Sequence, residues 1–292
     1  MRLGLLGFPL GHSLSPAMHS AALAALGLAG WRYEALPTPP EHLAAAVAAL
    51  RSGDFAGVNV TVPYKEAVLP LLDVLTPVAQ AIGAVNTVVV QREAGGPVRL
   101  LGHNTDAAGL LADLRHLEVR VERKRVMILG AGGSARAAVA ACSGVGAQVR
   151  VVARRREQAE ALEAVGRVEF FPWTRLGLMQ ASENCRLILN CTPLGMQPQT
   201  DASPWLETVS WPPRAFAYDL VYNPPETLFV QQARRAGLRA ATGLGMLVEQ
   251  GALALEQWTG RAAPRDVMRA AAERALLSPP PPGAPAVEQG SG

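Results

Sequence analysis

The amino-acid sequence predicts an α/β fold in two domains, the second of them built on a doubly wound parallel sheet. The length of 292 residues fits two domains of about 100–200 residues each. Hydrophobic residues make up 49% of the chain and charged residues 17%, which provides sizeable cores and excludes a disordered chain. From residue 126 onward, apolar β-type runs alternate with helical patterns, and this alternation is typical of a parallel sheet covered by helices.

Local signals place the elements of the first part of the chain. Ser15 is expected to be the N-cap of a helix with Pro16 in its first turn, and Gly27 to end it. The turn sequence at 93–97 predicts a hairpin, and Asp106 is expected to cap a further helix. The predicted strands span 3–7, 32–36, 56–62, 84–91 and 98–102, and the predicted helices 15–26, 40–52 and 107–117.

The second part of the chain supplies the regular alternation. The predicted strands span 126–129, 148–152, 186–190, 215–220 and 239–242, and the predicted helices 134–143, 157–165 and 227–236. Two closing helices follow at 246–257 and 263–276, and the proline-rich segment 279–292 is expected to be a disordered tail.

Composition excludes several classes of function. Aromatic residues are only 5% of the chain and the basic clusters, at 120–125 and 154–156, are short, so we expect no nucleic-acid partner. Polar residues and prolines interrupt the uncharged segment 3–31, so we expect neither a membrane span nor a signal peptide. Three cysteines without metal-ligand spacing indicate buried thiols, no metal site and a reducing, cytoplasmic location.

Lysine is rare in this chain. Of the 27 basic residues, only Lys65 and Lys124 are lysine, and 25 are arginine. Arginine stays protonated in proteins, whereas a lysine can release and regain a proton. A lysine retained in such a composition is therefore a candidate for proton transfer.

A glycine-rich turn predicts a dinucleotide site. The sequence GAGGSA at 130–135 directly follows the strand 126–129 and opens a helix, which is the Rossmann-type arrangement. Gly130 permits the tight turn, and Gly132 allows the backbone and the helix N-terminus to approach a pyrophosphate. The following strand ends in Ala153-Arg154-Arg155-Arg156 instead of an acidic residue. This favours the 2′-phosphate of NADP over NAD, although three arginines could also be a solvated helix start.

Polar residues between the apolar runs of the first part predict a substrate site. They are Ser13, Ser15, Asn59, Thr61, Lys65, Asn86, Asn104, Thr105 and Asp106. In open α/β sheets, ligands bind beyond the carboxyl ends of the strands. Hydroxyls, amides, one ammonium and one carboxylate suit a small polyol that carries a carboxylate. Each residue taken alone could equally be a cap or a turn residue.

Several ordered motifs, covering about residues 3–277, resemble the shikimate dehydrogenase family. They are GFPLGHSLSPAMH (7–19), NVTVPYK (59–65), GAVNT (83–87), GHNTD (102–106), GAGG (130–133), DLVYNP (219–224), MLVEQGA (246–252) and WTG (258–260). The resemblance implies NADPH-dependent, reversible reduction of 3-dehydroshikimate to shikimate in aromatic amino-acid biosynthesis. It also implies a cleft between a substrate domain, 1–106 with 244–278, and an NADP domain, 107–243.

The same resemblance assigns roles to residues. Lys65 and Asp106 would form the catalytic pair, which would also contact the substrate. The other substrate-binding residues would be Ser13, Ser15, Thr61, Asn86, Tyr222 and Gln250. The cofactor-binding residues would be Gly130, Ala131, Gly132, Gly133, Ser134, Arg154, Leu220 and Gly243.

The chemistry fits the assigned pair. Hydride transfer to a ketone leaves a developing alkoxide, which a neighbouring cation stabilises and a proton must neutralise. Lys65 can do both, and Asp106 can orient it. The family commonly reads Asn-Arg-Thr where this chain has Ala153-Arg154-Arg155, so the expected phosphate-binding arginine is present while both neighbours differ.

Three other functions stay open at the level of sequence. The first is a quinate/shikimate dehydrogenase with relaxed use of NAD and NADP. The second is a non-catalytic protein that senses NADP(H) or shikimate, and the third is a structural subunit. An intact Lys65 and Asp106 pair argues against the sensing protein, since a sensor need not retain acid–base chemistry, and a structural subunit would bind no shikimate. Either a monomer or a homodimer is compatible with the sequence.

Overall fold

A computed structural model describes residues 1–11, 13–93 and 95–277 of the chain. Two six-stranded sheets organise these residues, one in each part of the chain, and the predicted α/β fold class is confirmed. The predicted tail at 279–292 lies outside the described residues. Within the described ranges, none of the helices combines the length and the apolar character that crossing a bilayer requires.

The first sheet is mixed. Its strands are β1 (Arg2–Gly7), β2 (Arg32–Pro37), β3 (Phe55–Val60), β4 (Val74–Leu75), β5 (Thr87–Gln91) and β6 (Arg99–His103). They lie in the order β2-β1-β3-β5-β6-β4. β1 runs parallel to β2 and β3, whereas β5 is antiparallel to β3 and β6, so the predicted hairpin is confirmed. Every residue of β3 is buried, as expected for a central strand with both faces covered.

Two of the three helices of this part differ from the prediction mainly at their ends, and the third, at Pro77–Ile82, has no predicted counterpart. They are α1 (Ser15–Ala25), α2 (Leu43–Ser52) and α3 (Pro77–Ile82), and a short 3₁₀ turn precedes α2. The prediction that Ser15 is the N-cap of α1 is wrong. Leu14 is the N-cap, Ser15 is the first helical residue, and its backbone N–H donates to Oγ of Ser13 at 3.3 Å. The earlier serine therefore provides the local bond at this helix start.

Helix α4 (Asp106–His116) links the two parts of the chain. Thr105 is its N-cap and Asp106 is its first residue, so the prediction that Asp106 is the cap is wrong. The Asp106 carboxylate bonds to side chains from other elements instead of to its own helix. The Asp106 carboxylate therefore bonds to Lys65 and Asn86 and does not cap its helix.

The second sheet is entirely parallel. Its strands are β7 (Arg125–Leu129), β8 (Gln148–Ala153), β9 (Val168–Pro172), β10 (Cys185–Asn190), β11 (Phe216–Asp219) and β12 (Arg239–Thr242). Its helices are α5 (Gly133–Gly144), α6 (Arg156–Glu160), α7 (Arg175–Ser182) and α8 (Leu228–Arg235). The order β12-β11-β10-β7-β8-β9 reverses direction between β7 and β10. Such a switch point opens a ligand crevice at the carboxyl ends of these strands.

The last two helices return to the first sheet. α9 (Leu244–Thr259) and α10 (Arg265–Leu277) pack against α4 and α1, respectively. The indole N–H of Trp258, near the end of α9, donates to the backbone oxygen of Val88 in β5 at 3.0 Å. Residues distant in the sequence therefore complete the core beneath the first sheet.

Candidate active site

Lys65 and Asp106 form an ion pair beyond the carboxyl ends of β3 and β6 in the first sheet. Lys65 lies on the loop after β3, and its Nζ donates to Oδ2 of Asp106 at 2.7 Å. The Lys65 side chain is 18% exposed and that of Asp106 is 6% exposed. The ammonium is thus fixed by a buried carboxylate while part of it stays accessible to a small molecule.

Asn86 fixes the second oxygen of the Asp106 carboxylate. Its Nδ2 donates to Oδ1 of Asp106 at 2.8 Å, and lies 3.2 Å from Oε1 of Gln250 on α9. Its Oδ1 accepts the backbone N–H of Thr105 at 2.8 Å. Because the Asp106 carboxylate is held from two sides, it can hold the Lys65 ammonium in one position.

Ser13, Ser15 and Tyr222 form a second polar group. Burial raises the pKa of the Tyr222 phenol, while hydrogen bonds with Ser13 and the Leu14 backbone oppose that rise. Ser15 is 6% exposed. Hydroxyl groups collected in this way are suited to binding a carboxylate or a polyol.

Thr61 lies beside the end of β1. It follows β3, and its backbone N–H donates to the oxygen of Leu6 at 2.9 Å. Its methyl group packs close to Gly7, where a Cβ atom would be only 2.4 Å from Thr61 Cγ2. Of the predicted substrate residues, Ser13, Ser15, Thr61 and Lys65 thus follow the ends of β1 and β3 and Asp106 starts α4, while Asn86, Tyr222 and Gln250 come from just before β5, after β11 and from α9.

Tyr33 is a supporting residue that the sequence did not single out. Its phenol donates to Oδ1 of Asn59 at 2.8 Å and is hydrogen bonded to the Ser15 side chain. Asn59, in turn, donates to the backbone oxygen of Asn86 at 3.2 Å. Asn59 is therefore bonded within the protein, and it supports the site rather than facing a ligand.

The residues of the glycine-rich turn fit a dinucleotide. Gly130 has a φ of 107°, a conformation that favours glycine. Gly132 is the N-cap of α5 and makes no side-chain capping bond. A Cβ atom at Gly132 would meet nothing within 4 Å, so no other part of the protein packs against this side of the N-cap. The unpaired N–H groups of a helix N-terminus are suited to binding a pyrophosphate.

The arginines after β8 separate into two kinds. Arg156 already has partners within the protein, because its Nε donates to Oε1 of Glu160 at 2.6 Å and its guanidinium lies over the ring of Phe170. Arg154 and Arg155 are exposed, and neither forms an ion pair within the described part of the chain. Two of the three predicted cations are therefore available to a phosphate.

Leu220 and Gly243 meet at the other end of the crevice. A Cβ atom at Gly243 would lie 2.4 Å from the backbone oxygen of Leu220, so only glycine allows this approach. Leu220 follows β11 and Gly243 is the N-cap of α9. The backbones of Leu220 and Gly243 are therefore in close contact where the end of β11 meets the start of α9.

Asp219, the last residue of β11, is a buried carboxylate that fixes the backbone directly before Leu220. Asn190 donates to its Oδ1 at 2.8 Å, the backbone N–H of Val221 donates to the same oxygen at 3.0 Å, and Thr227 donates to Oδ2 at 2.6 Å. Burial raises the pKa of Asp219 from its ordinary value of 3.8 to about 7. No cation among the described residues pairs with it.

The raised pKa of Asp219 predicts a pH-dependent stability. Between about pH 4 and pH 7 the folded protein binds a proton that the unfolded chain has released. The contribution of Asp219 to the free energy of unfolding should therefore fall as the pH rises through this window. Urea unfolding at pH 5 and pH 7.5 measures the effect, with the isosteric Asp219→Asn as the control. Equal pH dependence in both proteins would contradict it.

The described residues contain no cluster of side chains that could hold a metal ion. Burial raises the pKa of the thiols, to about 12 for Cys142 and about 11 for Cys185, and also raises that of Cys191. A nucleophilic cysteine requires a lowered pKa. The cysteines therefore serve as packed apolar groups.

Comparison with known proteins gives one consistent family. Residues 5–88 match the family described as "Shikimate dehydrogenase substrate binding domain", and residues 243–273 match "Shikimate 5'-dehydrogenase C-terminal domain". The chain is 44% identical over 286 residues to "Shikimate dehydrogenase (NADP(+))" of Symbiobacterium thermophilum, covering 95% of each chain.

Solved structures agree with the sequence comparison. Shikimate 5-dehydrogenase of Thermus thermophilus, in complex with NADP(H) and shikimate, is 41% identical with a TM-score of 0.84, covering 94% of this chain and 99% of its own. The Listeria monocytogenes enzyme, in complex with shikimate and NAD, is 31% identical with a TM-score of 0.83, covering 92% and 95%.

Proposed function

The chain belongs to the shikimate dehydrogenase family, and we propose that it catalyses the reversible, NADPH-dependent reduction of 3-dehydroshikimate to shikimate. Such an enzyme is an oxidoreductase that acts on a CH–OH group in the biosynthesis of chorismate and the aromatic amino acids. The observation that carries the proposal is the partly exposed Lys65 ammonium, held at 2.7 Å by the Asp106 carboxylate. The dinucleotide turn on α5 supports it.

Lys65 is the catalytic acid and base in this proposal. NADPH, when bound, supplies the hydride to the carbonyl carbon of the substrate. The Lys65 ammonium stabilises the negative charge that develops on the substrate oxygen and donates a proton from Nζ. The neutral amine then regains a proton from solvent. In the reverse direction, it takes the hydroxyl proton of shikimate.

Asp106 keeps the Lys65 Nζ aimed at the reacting oxygen, and Asn86 keeps Asp106 in place. We propose that Ser13, Ser15 and Tyr222 bind the carboxylate end of the substrate, since the Ser13 hydroxyl is hydrogen bonded to Tyr222 and accepts the backbone N–H of Ser15. The remaining proposed substrate contacts come from Thr61, Asn86, Asp106 and Gln250.

The second sheet provides the proposed NADP site. The backbone of Gly130, Ala131, Gly132, Gly133 and Ser134 would hold the pyrophosphate at the start of α5, and Arg154 would bind the 2′-phosphate. Leu220 and Gly243 would line the nicotinamide end. This placement is supported by the N-cap Gly132, which makes no side-chain capping bond, and by the exposure of Arg154.

The proposal includes a domain division and a cellular setting. We place the substrate domain at 1–106 with 244–278 and the NADP domain at 107–243, since α10 packs on α1 and the end of α9 is hydrogen bonded to β5. Three free, mainly buried thiols fit a cytoplasmic enzyme. It would act as a monomer or a homodimer.

The direct test is the absorbance of NADPH formed when the protein is mixed with shikimate and NADP⁺. Rapid formation of NADPH is expected, and its absence with a folded protein would overturn the proposal. Binding of both ligands without turnover would favour a sensing protein. The quinate/shikimate alternative gains support from the relative solved with NAD. Comparing shikimate with quinate, each with NADP⁺ and NAD⁺, separates these two enzymes.

Arg154→Ser should weaken the use of NADP⁺ selectively. A charge-assisted bond to a phosphate contributes enough that kcat/KM for NADP⁺ should fall by about tenfold to a hundredfold, while kcat/KM for NAD⁺ stays nearly constant. Arg155→Ser is the matched control, since it removes an equally exposed neighbouring charge. If both variants lost NADP⁺ activity equally, the assignment of the phosphate to Arg154 would fail.

A further inference from the structure

Arg136 connects the glycine-rich turn to the first part of the chain. It lies in the first turn of α5, and its Nε donates to the backbone oxygen of Ile82 at 2.7 Å. Ile82 is the last residue of α3. The carbonyl groups at a helix C-terminus lack intrahelical partners and carry partial negative charge, so a guanidinium binds them well.

Gly83 makes this contact possible. It has a φ of 67° and ends α3. A Cβ atom at Gly83 would lie 2.6 Å from Nη2 of Arg136, so any larger residue would push the guanidinium away. The motif that begins at Gly83 thus meets two requirements, a left-handed turn and space for an arginine from the second part of the chain.

The short segment that follows Gly83 leads directly to the catalytic pair. The backbone oxygen of Ala84 accepts Nδ2 of Asn104 at 3.0 Å, and the backbone N–H of Val85 donates to the oxygen of Lys65 at 2.7 Å. Asn86 then bonds to Asp106. Segment 82–86 is therefore bonded at one end to the helix of the dinucleotide turn and at the other to Lys65 and Asp106.

Apolar packing makes the connection stiff. Ile82 and Ala84 are fully or almost fully buried, and they belong to the same apolar core as Ala135 and Ala138 of α5. A segment packed in this way transmits a displacement at one end to the other, because close-packed cores deform little. The position of α5 and that of the catalytic pair are consequently coupled.

We propose that Arg136 is a positioning residue that fixes the dinucleotide-binding helix relative to Lys65 and Asp106. The proposal rests on the proposed dehydrogenase function. Arg136 contacts neither the reacting atoms nor the catalytic pair. It acts by holding segment 82–86 against α5, and hydride transfer is sensitive to misplacement because the donor and acceptor must be aligned.

The chain offers a matched control for loss of an arginine that caps a helix. Arg150 donates through Nη1 to the backbone oxygens of Gln180, Ala181 and Glu183 at 3.0–3.2 Å. These residues lie at the end of α7, within the second part of the chain. Arg150→Gln therefore removes three arginine–carbonyl bonds and an ion pair with Glu169, a larger local loss than that in Arg136→Gln, without touching segment 82–86.

The experiment compares Arg136→Gln, Arg136→Lys and Arg150→Gln with the unaltered protein. For Arg136→Gln, kcat for shikimate should fall by about tenfold to a hundredfold, with KM for shikimate changed by less than about threefold. Arg136→Lys keeps a charged donor for Ile82 and should restore most of kcat. Arg150→Gln should lower the melting temperature and leave kcat unchanged.

A second readout does not depend on turnover. Small-angle scattering of each protein without ligands should give a larger radius of gyration for Arg136→Gln alone. The proposal would be overturned if Arg136→Gln left both kcat and the radius of gyration unchanged, or if Arg136→Gln and Arg150→Gln lowered kcat equally. It would also be overturned if the kcat of Arg136→Lys did not exceed that of Arg136→Gln. If the unaltered protein does not oxidise shikimate, the proposed function fails, while scattering still tests whether Arg136 joins the two parts.

Discussion

Lys65→Met is expected to lower kcat for shikimate oxidation by about a thousandfold, the largest kinetic effect that we expect of any single substitution. It removes both the cation that stabilises the developing alkoxide and the group that exchanges its proton, and general acid–base catalysis alone contributes about a hundredfold to ten-thousandfold. The substitution also leaves the buried Asp106 carboxylate without its cation. Steady-state kinetics with shikimate and NADP⁺ measure the change.

Lys65→Arg separates charge from proton transfer. Arginine keeps the positive charge beside Asp106 but does not release a proton in proteins. We therefore expect kcat to fall by about a hundredfold while KM for shikimate changes much less. Lys124→Arg and Lys124→Met are the matched controls, since Lys124 is exposed and should tolerate both. Near-normal turnover by Lys65→Arg would mean that Lys65 acts only as a charge.

Gly57→Ala is expected to cause the largest loss of stability. Gly57 lies in β3, and a Cβ atom there would be 2.1 Å from Nε1 of Trp258 and 2.2 Å from the backbone oxygen of Val88. Those two atoms are themselves hydrogen bonded. Overpacking together with loss of this buried bond should lower the free energy of unfolding by about 3–5 kcal/mol. Urea unfolding followed by circular dichroism measures it.

The effect of Gly57→Ala should extend to the site. Trp258 lies near the end of the helix that carries Gln250, and β3 leads to Thr61 and Lys65, so displacement of either element moves residues of the proposed substrate pocket. Gly30→Ala is the control, because a Cβ atom at Gly30 would meet nothing within 4 Å. Its unfolding free energy should change by less than about 1 kcal/mol. Equal curves for the two variants would show that β3 and α9 can separate freely.

The elements missed from the sequence have weak local signals. β4 has two residues, and α3, which follows it, has six, so neither shows a clear period. α7 contains Gly177, a residue that disfavours helices. The structure explains this glycine, because a Cβ atom there would lie 2.0 Å from the backbone oxygen of Pro172 at the end of β9. The close approach of α7 to β9 therefore requires a glycine, and that same glycine weakens the helical pattern in the sequence.

The wrong cap assignments have a related cause. Ser15 and Asp106 are good caps by residue type, and each stands within one residue of the actual N-cap. Asp106 instead bonds to Lys65 and Asn86, which are 41 and 20 residues away. A charged partner from another element is a stronger ligand for a carboxylate than a backbone N–H of its own helix.

By itself the sequence determined the α/β class, most of the strands and helices and the dinucleotide turn, and it identified Lys65 as a candidate for proton transfer. These depend on backbone preferences and apolar periods that act within about a dozen residues. Only the tertiary structure decided which polar groups meet: Asn86 with Gln250 across 164 residues, Tyr33 with Asn59, and Arg136 with Ile82. Such pairs depend on how whole elements pack, and no local pattern encodes a distance between side chains that the chain brings together only on folding.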